Sequence, residues 1–147
     1  MKMFQRILVA TDFSPASTPA LEQSVKMARR EGSLLLIAHA YQEPGLVELS
    51  HAPARVYEEW DQKLREAVDR KLRPLVEYAR KEEVEAEGLI LTGFADEAII
   101  EAAKQQRADL IVMGTHGRRG AARLFLGSVA ARVISTAPCP VMTVRST

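Results

Sequence analysis

Short unbroken apolar runs alternate along this chain with longer stretches in which apolar positions recur three and four residues apart. The first run is 6–10, RILVA, and the second is 34–38, LLLIA. The second mixes in no polar position, which is the pattern of a strand covered on both faces, as in a parallel sheet flanked by helices. Between them Ala20, Leu21, Ser24, Val25 and Ala28 share one helical face, so a helix is expected over 15–31. Ser14 followed by Pro15 offers a hydroxyl N-cap and a first-turn proline, and Gly32 stands where a left-handed C-cap is wanted.

The longest periodic segment, 55–83, carries an apolar stripe from Val56 and Trp60 through Leu64, Val68, Leu72 and Val76 to Ala79. On that stripe Trp60 reads as a packing residue, and so do Tyr57 and Tyr78. Pro74 lies inside the segment, where a missing amide and a ring clash cost roughly 3 kcal/mol, so a kink is expected near 70–74. A third strand follows at about 84–91, a helix at 95–106 and a fourth strand at 109–113, DLIVM. Val129, Val133 and Ile134 mark a further helix, and 141–144 makes a last strand after Pro138 and Pro140. The alternation predicts one α/β domain over 1–147: a doubly wound, Rossmann-like, five-stranded parallel sheet in the order 3-2-1-4-5, with helices on both faces. Ligands bind such sheets beyond the carboxyl ends of the strands, where the winding reverses.

Composition narrows the function classes. With 47% hydrophobic and 27% charged residues the chain reads as soluble and globular, and no run of about 18 apolar residues could span a bilayer. The opening MKMFQRILVATDF has too short an apolar stretch for a signal peptide, so the expected location is the cytoplasm. Twenty basic against nineteen acidic residues leave a charge of +1, and no global field draws the protein to nucleic acid or to a membrane. Any anion site must be local. The single cysteine, Cys139, excludes an internal disulfide and reads as packing, while His39, His51 and His116 lack the paired spacing of a zinc site.

The local candidate is the connection GTHGRRGAARLFLGSVA, residues 114–130, with four glycines, three arginines and a histidine. Gly114 and Gly117 would let backbone amides reach a ligand, with no Cβ in the way and positive φ accessible. Gly127 and Ser128 open the next helix, where unpaired amides and the macrodipole favour an anion. Burial of Leu124, Phe125 and Leu126 would anchor the returning end. The spacing is neither G-x-x-x-x-G-K-[ST] nor G-x-G-x-x-G, so the common nucleotide fingerprints fail. It is G-x2-G-x9-G-S.

That motif, with RILVATDFS at the first strand, ADLIVMGTHGRRG at the fourth, LGSVAARVI after it and APCPVMTV at the end, resembles the universal stress protein family over the full length of the chain. The resemblance implies the ATP-binding branch, in which the glycine motif is intact, with Mg2+ as an accompanying ion. It implies that Ala10, Thr11 and Asp12, with Ala38, His39 and Ala40 after the second strand, border adenine and ribose. Met113, Gly114, His116, Gly117, Gly127, Ser128, Val129 and Ala130 would then follow the phosphates, and Arg118 would close over them. Asp12 would contact ribose or hold the divalent cation; the competing reading makes it a local turn acceptor. Ser128 has no G-x-S-x-G elbow around it and His116 no carboxylate near it in sequence, so neither reads as catalytic. The resemblance also implies a homodimer, for which the edge strand at 141–144 is a sensible interface. The expected function is an ATP-binding regulator of stress response and not an enzyme. The alternatives are a slow ATP hydrolase and an interaction module whose pocket holds another small ligand.

Overall fold

A computed structural model describes residues 2–42, 51–116 and 126–146. The strands are β1 (Arg6–Ala10), β2 (Leu34–Tyr41), β3 (Glu85–Thr92), β4 (Leu110–Gly114) and β5 (Val141–Val144). They form one parallel sheet in the order β3-β2-β1-β4-β5, as the alternation predicted. β1 lies at its centre, with Val9 beside Ile37 of β2 on one side and Val112 of β4 on the other. Ile7, Leu8 and Val9 are wholly inaccessible to solvent, because both faces of β1 are covered.

The helices are α1 (Thr18–Glu31), α2 (Ala54–Lys81), α3 (Ala95–Gln105) and α4 (Ser128–Thr136). Successive strand residues point to opposite faces, so each strand feeds two cores. Ile7, Val9, Leu35, Ile37 and Val112 pack under α1 and α2. Leu8, Leu36, Ile111 and Met113 pack under α3 and α4. The margin of the sheet is closed by Asp109, whose carboxylate accepts the backbone amides of Gln5 at 2.8 Å and Arg6 at 3.1 Å. Asp109 N–H in turn donates to the Arg6 carbonyl at 2.9 Å, fixing the registers of β1 and β4 where both begin.

Several boundaries depart from expectation for physical reasons. A single 3-10 turn, Pro15–Ser17, precedes α1, and Ser14 does not cap it. The Ser14 hydroxyl donates to Asp12 Oδ1 instead. Gly32 does end α1 in the left-handed conformation, at φ 70°. β2 runs on to Tyr41, which is buried and donates its hydroxyl to Asp61 of α2 at 2.6 Å. α2 continues without a break through Pro74. Its stripe is buried only from Val68 onward, and Trp60 is 53% exposed, so the packing role expected of Trp60 is not realised among the described residues. A 28-residue helix is about 42 Å long, whereas an eight-residue strand spans about 26 Å, so α2 outruns the sheet that it covers.

Cys139 packs against the α3/α4 core, and burial, with the Asp109 charge adding to it, raises its thiol pKa. A raised value leaves less thiolate at neutral pH. Iodoacetamide should therefore alkylate Cys139 severalfold more slowly than it alkylates free cysteine at pH 7.5; alkylation at the free rate would contradict this burial.

Candidate functional site

The winding reverses between β1 and β4, since β2 and β3 lie to one side and β5 to the other. The residues beyond the carboxyl ends of these two strands are Thr11 and Asp12, and Thr115 and His116. Thr11 extends the β1–β2 ladder by one bond, its amide donating to the Ala38 carbonyl at 2.9 Å. Its hydroxyl meets Ser17 Oγ at 3.1 Å and accepts the Phe13 amide at 3.0 Å. Asp12 accepts the Ser14 amide at 2.9 Å through Oδ1, so one of its oxygens serves the local turn. Phe13 adopts φ 64°, a left-handed conformation rare for a bulky side chain.

His39 and Ala40 lie inside β2 and not after it. The His39 Nδ1–H donates to the Thr11 carbonyl at 2.8 Å, and its ring stacks at 4.3 Å on Phe13. A carbonyl can only accept, so this bond sets the protonated nitrogen. Ala10, Ala38, Met113 and Ala130 come together, but as members of the buried α3/α4 core. Their side chains shape the floor of the crevice from below.

Around β4 the glycines act through close approach. A Cβ on Gly114 would lie 3.2 Å from the Ala16 carbonyl oxygen, and one on Gly127 would lie 2.9 Å from that of Thr115. Neither residue has positive φ, contrary to the expectation for Gly114; the described glycines that do are Gly32 and Gly93. The Gly127 amide donates to the Thr115 carbonyl at 2.7 Å, so it is already used within the protein. The first intrahelical bond of α4 runs from Ala131 to the Gly127 carbonyl. Ser128, Val129 and Ala130 therefore present amides with no acceptor inside the helix, at the positive end of its dipole. Ser128 and Val129 are exposed there.

Thr115, which sequence reasoning passed over, joins these pieces. Its amide donates to the Val144 carbonyl of β5 at 3.2 Å and its hydroxyl meets His116 Nδ1 at 3.0 Å. The other His116 nitrogen, Nε2, is buried and has no hydrogen-bond partner among the described residues. A buried polar atom in that state costs free energy until something supplies the missing bond. Among the described residues no three His, Cys, Asp or Glu side chains gather where a metal ion could sit. Gly117 and Arg118, with Arg119, Arg123, Leu124 and Phe125, lie outside the described residues. Leu126 is described and is 44% exposed, so it does not anchor the loop by burial as expected.

These features define a doubly wound α/β protein with a crevice at its topological switch point, edged by a helix N-terminus. The model of the universal stress protein family matches residues 3–145, and the chain belongs to that family. It is 38% identical to the universal stress protein in the QAH/OAS sulfhydrylase 3′ region of Thermus aquaticus, covering 97% of this chain and 100% of that one. The fold is similar to that of MJ0577 of Methanocaldococcus jannaschii, with TM-score 0.86, 26% identity, and 99% and 98% of the two chains covered. It is also similar to a universal stress protein of Archaeoglobus fulgidus solved in complex with dAMP, with TM-score 0.69, 26% identity, and 96% and 98% covered. Proteins of this family are in general not enzymes.

Proposed function

We propose that this protein binds ATP in the crevice between β1 and β4 and acts as a cytoplasmic, nucleotide-linked regulator of the stress response. The observation that carries the reading is the start of α4, where the amides of Ser128, Val129 and Ala130 lack helical acceptors. Gly127 holds that turn against Thr115 through its 2.7 Å bond. An anion on these amides gains both hydrogen bonds and the dipole. His116 Nε2 would find its missing partner in the same ligand. Adenine and ribose would lie against Ala10, Thr11 and Asp12 and the end of β2 at Ala38, His39 and Ala40. The dAMP complex of the A. fulgidus relative supports an adenine nucleotide as the ligand class.

A Mg2+ ion would be held by the Asp12 carboxylate, with the phosphates supplying its other oxygens. One carboxylate plus phosphate oxygens suits Mg2+, which dehydrates reluctantly and keeps waters. The proposal includes one domain over 1–147 and a homodimer through β5. β5 stands at the sheet edge, where Met142 is 37% exposed, and Ile134 of α4 is 48% exposed. No described helix is long and apolar enough to cross a membrane.

A melt with and without nucleotide tests the reading. At about one hundred times Kd, ATP should add about 2.7 kcal/mol and raise Tm by roughly 5–10 °C, and Mg2+ should raise it further. No shift with ATP would refute the proposal and favour an interaction module with another ligand. Timed ADP release should be negligible; turnover lost in Asp12→Asn or His116→Ala would instead make the protein a slow hydrolase.

A further inference from the structure

The turn between β1 and α1 has a second side, towards α2, which shares Thr11 with the ATP crevice but none of the amides at the start of α4. There α1 and the middle of α2 leave a cleft of about 480 Å³. That volume lies within the range of small-molecule sites. Its apolar surface comes from Phe13 and Leu21 on one side and from Pro74 and Leu75 of α2 on the other. Its ionisable lining residues are Arg70 and Lys71, and among the described residues no carboxylate lines it. The cleft therefore combines two cations with an apolar lining.

The cations are available to a ligand. Arg70 is exposed and makes no hydrogen bond or ion pair with any described residue. Lys71 Nζ stands 5.5 Å from the centre of the Phe13 ring, held towards the cleft by the ring's negative face. The Ser14 and Ser17 hydroxyls donate to Asp12 Oδ1 and to the Ser14 carbonyl, so they add no donors. Thr18, which also lines the cleft, has no such internal bond and does. Pro74 lies on the same wall, and without its amide the Arg70 carbonyl loses its usual helical donor. α2 thus tolerates a helix-breaking residue at the place where it borders a cationic hollow.

We propose that this cleft binds a small organic phosphate monoester, with its apolar body against Leu21, Pro74 and Leu75 and its phosphate between Arg70, Lys71 and Thr18. A dianion matches two neighbouring cations, and the guanidinium fork bonds two of its oxygens at once. The site is independent of the amides at the start of α4. Its failure would leave the ATP reading untouched, and the converse holds too.

Phenyl phosphate is the probe, titrated into the full-length protein with amide chemical shifts as the readout. Saturable shifts are expected at Phe13, Thr18, Arg70 and Lys71, while Ser128, Val129 and Ala130 stay put, and saturating ATP should not displace the probe. Arg70→Ala and Lys71→Ala should each weaken binding by roughly threefold to tenfold, and Lys71→Arg should restore most of it. Both side chains are exposed, so Tm and ATP binding should not change. Benzyl alcohol, which lacks the charge, should bind at least tenfold more weakly. Absent shifts, shifts confined to 128–130, or unchanged affinity in the double variant Arg70→Ala with Lys71→Ala would each overturn the proposal.

Discussion

Gly127→Val is expected to abolish the ATP-induced rise in Tm and to destabilise the protein without ligand. A Cβ at this position meets the Thr115 carbonyl oxygen at 2.9 Å and the His116 Cα at 3.6 Å. The first is a clash with backbone, so no side-chain rotation relieves it. The strain of such overpacking is about 1–3 kcal/mol. Against it stands the reduced freedom of the unfolded chain, which favours a non-glycine residue by about 0.4–1 kcal/mol. The φ of −64° at Gly127 suits any residue, so the clash alone sets the sign, and it exceeds the entropic gain. The first turn of α4 must then move away from Thr115, taking the amides of Ser128, Val129 and Ala130 with it. Differential scanning fluorimetry with and without ATP measures both effects. A variant that melts normally and still responds to ATP would show that the close approach does not hold the site.

Ile37→Ala is expected to produce a large loss of stability while leaving the ATP response intact. Ile37 is wholly buried in β2, between Val9 of β1 and Gly88 of β3, and packs under α1 and α2. Truncating a buried isoleucine removes its transfer energy and leaves a cavity, together about 3 kcal/mol, or roughly 6–12 °C in Tm for a domain of this size. The next residue, Ala38, anchors Thr11 through its carbonyl, and that bond does not depend on the Ile37 side chain. The increment from saturating ATP should therefore equal that of the parent protein. The pair of variants separates a fault in the crevice from a fault in the core.

The strands were legible because burial on both faces demands continuous apolar runs, and Arg6–Ala10 and Leu110–Gly114 carry that demand in their composition. β2 was read short because His39 and Ala40 interrupt the run. Tyr41 extends it by pairing with Thr92 of β3, and its hydroxyl bonds Asp61, twenty residues away in sequence. Trp60 was misread because helical periodicity says which face a residue lies on but not whether the sheet reaches that far. At the candidate site, the glycine spacing singled out the connection after β4, whereas the reason for Gly114 and Gly127 lies in the carbonyls of Ala16 and Thr115, which no local pattern reveals. Arg70 and Lys71 sit on what reads as the solvated face of a long helix. Only the packing of α1 beside α2 turns them towards a hollow.

Thr115 is a mechanical junction. Through its amide it grips the outermost strand at Val144, and through its carbonyl it grips the turn that starts α4. Both grips belong to one residue next to the end of β4, so a tug on that turn reaches the rim of the sheet within a single residue. Whatever settles on the acceptor-free amides of α4 is in this way linked to the outermost strand of the sheet.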